Sequence, residues 1–118
     1  MSNAVRKVPP PSMTLEEFLV WPGDGTAKRY ELVDGVARAM SPAAATHGII
    51  QGNLAGLIWR RLRDSGSPCN MIPEGAVAPR LRARTNLRVP DIVVTCTPVE
   101  AGQITVPNPV LLVEILSP

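Results

Sequence analysis

Aromatic residues and histidine are scarce in this chain of 118 residues, which has two tryptophans, one tyrosine, one phenylalanine and one histidine. Its core must therefore be packed from valine, leucine, isoleucine and alanine, a composition that suits a mixed α/β protein better than a disulfide-rich miniature. With a single histidine there is no histidine cluster from which a zinc site could be built. The two cysteines, Cys69 and Cys96, stand far apart and outside any C-x-x-C spacing, so the expectation is a pair of reduced, buried thiols. No apolar run has the length of a signal peptide or a membrane span, and a cytoplasmic location follows by default. G-x-S-x-G, the P-loop and G-x-G-x-x-G are missing as well, which leaves acyl transfer and nucleotide binding by those routes without support. No internal repeat is visible.

What is present fits one domain, with a formal net charge of +2 and an arginine-dominated set of cations. Arginine is favoured where phosphate is read by a planar, bidentate group, so the bias hints at anionic partners. Residues 1–12 are expected to be a flexible arm: Ser2-Asn3-Ala4 resembles a cloning scar, and Pro9-Pro10-Pro11 favours an extended, poorly packed chain. The domain itself is expected over residues 13–118. Thr14 and Glu17 have capping-box spacing ahead of a short helix that stops at Trp21-Pro22-Gly23. RYELVDGVARAM reads as a hairpin turning at Asp34-Gly35. From about Pro42 to Asp64, Ile49, Ile50, Leu54, Leu57, Ile58 and Leu62 recur at helical spacing, and Ser65-Gly66 ends the run. Pro68 to Arg82 reads as two short strand pieces with a kink between them. LRVPDIVVT and PVLLVEILS are the strongest strand signals and are expected at the centre of a sheet covered by helices. Pro98 to Pro109 is expected to be loop.

Each of those two apolar strands carries one carboxylate, Asp91 and Glu114, and neither run contains its own cation. Burying an ionised carboxylate costs several kcal/mol even after relaxation, so two of them imply a compensating positive partner. On neighbouring strands, about 4.8 Å apart, the two would repel each other unless a cation bridged them. Mg²⁺ meets that need with one or two carboxylates, several waters and a substrate phosphate, which points to phosphoryl chemistry. The blander account pairs each acid with a nearby arginine, such as Arg88, or leaves it in water. Glu31 is a third candidate, alternating with Tyr30 and Leu32 on the hairpin. Asp34 is assigned to the turn and Glu74 to a loop. Arg80, Arg82, Arg84 and Arg88 recur at even spacing and could track a phosphate backbone, although a solvated edge strand uses the same pattern. His47 is read as a surface or capping residue at the opening of the long helix.

MTLEEFL, KRYELVDGVARAM, the THGIIQGNL helix start, PEGAV, RVPDIVV and LLVEILSP occur in one order over Met13 to Pro118. In that combination they resemble the Uma-type family of restriction-endonuclease-like proteins, abundant in bacteria, within the PD-(D/E)XK nuclease superfamily. The resemblance implies a mixed central sheet flanked by helices, and a site in which Asp91 of Pro90-Asp91 and Glu114 bind Mg²⁺ (Mn²⁺ being an alternative). It further implies a metal contact from the Ile115 carbonyl and an additional acid at Glu31. Leu116 stands where the superfamily pattern has lysine. Lys28, which opens the K-R-Y-E segment, does not occupy a matching position. The family continues beyond the S-P segment, so the resemblance implies a domain incomplete at its C-terminus. The leading expectation is a Mg²⁺-dependent DNA endonuclease with Asp91, Glu114 and Glu31 as its catalytic acids. The alternatives are a catalytically incomplete nuclease-fold domain that binds DNA or assembles with partners, and a remnant that folds only with a partner or as a homodimer covering its sheet edge.

Overall fold

A computed structural model of the protein describes residues 12–116, so the expected N-terminal arm lies outside the described residues except for Ser12. The first element, α1 (Leu15–Leu19), opens on the capping box that its sequence announces. Thr14 Oγ1 accepts from the Glu17 N–H at 3.2 Å and Glu17 Oε1 accepts from the Thr14 N–H at 3.1 Å, so two otherwise orphaned donors are satisfied. Asp34 and Gly35 take φ of 47° and 84°, the two-residue turn that matches strand twist. They fold β1 (Tyr30–Val33) and β2 (Val36–Ala39) into an antiparallel hairpin with Glu31 opposite Arg38. Asn86, a buried residue that the sequence reading passed over, holds this turn. Its Oδ1 accepts from the Asp34 N–H at 3.0 Å, and its Nδ2 donates to Asp34 Oδ1 at 3.2 Å and to the Arg82 carbonyl at 3.1 Å.

The long helix, α2 (Ala45–Asp64), begins three residues after Pro42 and stops at Ser65-Gly66 as predicted. Its inward stripe runs through Leu54, Ile58 and Leu62, all half-buried, while Ile49, Ile50 and Leu57 are exposed. The apolar face is therefore wider than the surface that covers it. The segment after α2 divides into β3 (Asn70–Pro73) and a second piece at Ala76-Val77, with the expected kink at Glu74, whose φ is 53°. Ile92–Thr95 (β4) pairs antiparallel with β3 on one side and with β5 (Pro109–Val113) on the other. Among the described residues the named strands pair only antiparallel, and the parallel pairing is a single bridge, Ala76 to Thr105. Leu87 joins the hairpin through reciprocal 2.9 Å backbone bonds with Leu32, and Arg88 joins Val77 in the same way at 2.8 Å. The result is the mixed α/β architecture that the sequence implies, in two antiparallel sheets with helices.

Three expectations need correction. β4 is buried along its whole length, but β5 is an edge strand with Val110, Leu111 and Leu112 exposed. A continuous apolar run has the same appearance at a sheet's centre and at an edge that lacks cover. Cys69 and Cys96 are not reduced, buried thiols. They are bonded to each other, because the β3–β4 register that pairs Asn70 with Thr95 places them directly opposite. The four arginines do not line one extended segment either: Arg82 is left-handed, with φ of 60°, and Ala83–Thr85 forms a turn of 3₁₀ helix.

The core lies in two clusters. Met13, Leu32 and Leu87 fix the hairpin against α1, and Val77, Val93 and Val106 fasten the Ala76-Val77 piece to β4. Gly75 sits where these segments meet, and a Cβ there would fall 2.8 Å from Val106 Cγ2 and 3.1 Å from Ile72 Cγ2. Since overpacking a closed site costs about 1–3 kcal/mol, Gly75→Ala should lower unfolding free energy by that amount in urea titrations. A wild-type midpoint in the mutant would mean that the Val106 contact relaxes freely.

Candidate active site

The β4–β5 register pairs Ile92 with Val113, so one residue beyond it Asp91 and Glu114 face each other at the end of the sheet. The two carboxylates that the sequence singles out are thus on neighbouring strands. Asp91 is half-buried and held on several sides. Its Oδ2 accepts from the Ile115 N–H at 2.6 Å, and its Oδ1 lies 3.1 Å from His47 Nε2. Its carbonyl accepts from Gln51 Nε2 at 2.9 Å and from the Glu74 N–H at 3.0 Å. Glu31 arrives from the hairpin. Leu32 points into the core with no exposure, strand alternation turns Glu31 the other way, and its Oε2 accepts from the Val89 N–H at 2.7 Å.

Glu114 feels both of the other acids. Partial desolvation, then the negative charges of Asp91 and Glu31, then a hydrogen bond shared with Asp91, hold its carboxyl above the ordinary value of 4.5, while His47 acts in the opposite sense. Two carboxyls that share a site favour one retained proton, and a nearby cation would relieve the same crowding.

His47 stands in the opening turn of the long helix, as the sequence implies, but it is not a surface residue: its side chain is only 12% exposed. It occupies the first turn of α2, on the stripe that continues through Gln51, Leu54, Ile58 and Leu62. Polar residues prolonging an apolar stripe at its N-terminal end were the signal available in the sequence. An open cavity of about 700 Å³ adjoins this cluster, lined among others by Lys28, Arg29, Met40, His47, Glu74 and Asp91. Lys28, the one lysine among the described residues, therefore borders the same space as Asp91. Arg29 pairs with Glu74 at 2.9 Å across an exposed edge. Arg80, Arg82, Arg84 and Arg88 are all exposed, and Arg82 leans towards Asp34 at 3.5 Å. Leu116, at the position of the superfamily lysine, is exposed.

Among the described residues no three His, Cys, Asp or Glu side chains are gathered closely enough to form an ion cage. The donor set nonetheless fits a hard divalent cation: carboxylate oxygens from three separate elements and one imidazole, with like-charge crowding recorded at Glu114. His47 Nδ1 is buried without a hydrogen-bond partner, a polar atom that the protein fold alone does not satisfy.

A mixed α/β fold with acids at the end of a central strand and its neighbour, beside a helix, is compatible with a restriction-endonuclease-like protein. The Uma2 family model, described as "Putative restriction endonuclease", matches residues 15–118, and the chain belongs to that family of nucleases. No curated protein and no solved structure matches it. Divalent metals are the general cofactors of restriction-endonuclease-like proteins, and DNA is the substrate that a nuclease family suggests. Among the described residues no helix is long and apolar enough to cross a membrane.

The crowding at Glu114 has a defined sign. The folded protein holds this proton more tightly than the unfolded chain, so the group's stabilising contribution is complete below pH 4.5 and is lost as pH rises through the higher folded value. Without divalent metal, Glu114→Gln should therefore leave the melting temperature unchanged near pH 4, raise it as pH climbs through the higher folded value, and hold that gain above it. Thermal melts in EDTA across that range give the comparison, and a mutant-minus-wild-type difference independent of pH would contradict the crowding.

Proposed function

We propose that this chain is a divalent-metal-dependent endonuclease that hydrolyses phosphodiester bonds of DNA, with Mg²⁺ as the ion and Mn²⁺ as a substitute. Asp91, Glu114 and Glu31 are its acids, and Asp91, Glu114 and the carbonyl of Ile115 hold the metal. The observation that carries this reading is the β4–β5 register, which sets Asp91 opposite Glu114 at the end of the sheet, with Glu31 anchored on the Val89 N–H two residues before Asp91. A bound ion would supply Lewis-acid polarisation and neutralise charge on the phosphate under attack. The protein's own part is positioning. The Ile115 N–H and His47 fix the two oxygens of Asp91, and the Val89 N–H fixes Glu31. Lys28 and Arg29 give the adjoining cavity a cationic rim against which a phosphate can rest. Arg80, Arg82, Arg84 and Arg88 would contact the DNA backbone singly, since their segment turns instead of running straight. Residues 13–118 act as one nuclease domain in this reading, the setting is the bacterial cytoplasm, and a homodimer is compatible with the uncovered face of β5.

A second reading is favoured by one observation: a leucine, Leu116, stands where the superfamily pattern has lysine. In that case the domain binds DNA, or assembles with partners, without cutting. Nicking of supercoiled plasmid separates the two. Wild-type protein with Mg²⁺ or Mn²⁺ should convert it to open circles, EDTA should stop the reaction, and Asp91→Asn should reduce the rate by at least about a hundredfold, the scale of removing one strong electrostatic contact from a reacting phosphate. Folded wild-type protein that binds plasmid but never nicks it would establish the binding module instead.

A further inference from the structure

We infer that Arg60 and Arg63, at the C-terminal end of α2, form a second contact with the DNA backbone, away from the acids; this rests on the nuclease reading above. The helix carries three arginines, Arg60, Arg61 and Arg63, against one acid, Asp64. At 3.6 residues per turn, Trp59, Arg60 and Arg63 leave it within about 100° of one another, and all three are exposed. Arg61 turns instead to the apolar groove that it lines with Leu57, Leu62 and Val94.

Helix polarity does not account for this arrangement. Cations near a helix C-terminus offset its dipole, but the last carbonyls of α2 are satisfied by backbone. Those of Arg61 and Arg63 accept from the N–H groups of Ser65 and Gly66 at 3.1 Å, and that of Leu62 accepts from the Ser67 N–H at 2.9 Å. The side chains of Arg60 and Arg63 reach elsewhere.

Arg63 is fixed without being neutralised. Its guanidinium lies 6.0 Å from the centroid of the Trp59 ring, and its Nη2 donates to Asn70 Oδ1 at 3.1 Å. Both partners are uncharged, so the arginine keeps its charge and has little freedom left to lose on meeting a phosphate. Trp59 itself is 52% exposed, and its indole serves there as the seat of the guanidinium. Arg60 leans on Asp64 at 3.7 Å, an exposed pair of the kind that contributes little in water and that a phosphate can displace. Between His47 and Arg63 the helix rises about 24 Å, roughly seven phosphates along one strand. A single nucleotide at the acids cannot span that distance, so the partner that joins the two places is a polymer.

Fluorescence anisotropy of a labelled duplex, titrated with the full chain in EDTA at several salt concentrations, tests this. Arg63→Gln should reduce the slope of log affinity against log salt by about one, and Arg60→Gln with Arg63→Gln by about two, since each phosphate contact contributes about 0.9. Arg61→Gln removes the same charge on the groove side and should leave the slope unchanged. A wild-type slope in Arg63→Gln, or an equal loss in Arg61→Gln, would overturn the inference, and a wild-type chain that still nicked plasmid would keep the nuclease reading. Folded wild-type chain that neither bound duplex nor nicked plasmid would overturn both.

Discussion

Asp91 accepts hydrogen bonds from three places, the Gln51 side chain and Glu74 backbone at its carbonyl and the Ile115 backbone at its carboxylate, and the His47 ring lies 3.1 Å from its other carboxylate oxygen. Those donors belong to α2, to the kink after β3 and to the residues after β5. One residue at the mouth of β4 therefore fastens the helix and both flanking segments to the central strand. The Ile115 bond has the added strength of a carboxylate acceptor, and the Gln51 bond to the carbonyl supplies orientation that the thin apolar cover of α2 does not. The same residue is the centre of the candidate site, which makes local architecture and chemistry inseparable there.

Like charge is the second constraint. Hairpin and sheet carry Glu31, Asp91 and Glu114 towards the same end of the sheet, short of the spacing of an ion cage, and hydrogen bonds from Val89 and Ile115 hold Glu31 and Asp91 in place. The raised Glu114 carboxyl records what is left uncompensated. A ligand that binds only the assembled site stabilises the fold by mass action, so a cation held there, as proposed, would favour folding of this corner.

Local chemistry made much of this legible in the sequence. Asp34-Gly35 can hardly form anything but a tight turn, Thr14 and Glu17 cap a helix by short-range bonds, and Asp91 and Glu114 were conspicuous as acids inside apolar strands. What escaped depended on partners distant in sequence. The pairing of Cys69 with Cys96 is set by the β3–β4 register, which no spacing within either strand reveals. The exposure of β5 depends on what lies against it, and an apolar run carries no record of its neighbours. Even spacing of Arg80, Arg82, Arg84 and Arg88 implied an extended segment, but the left-handed backbone at Arg82 and the contacts of Asn86 bend it. His47 was missed because one histidine near a helix start is ordinary until Asp91 is seen beside it.

The edge position of β5 bears on how the site keeps its shape. Among the described residues, Glu114 and Ile115 follow a strand that is laddered on one side, with Leu111 and Leu112 exposed. Such a segment belongs to the low-energy end of native-state openings, able to fray while the Val77, Val93 and Val106 cluster remains closed. Opening of β5 from β4 would part Glu114 from Asp91. Two proteins of equal global stability could differ widely in how much of the time their acids are assembled.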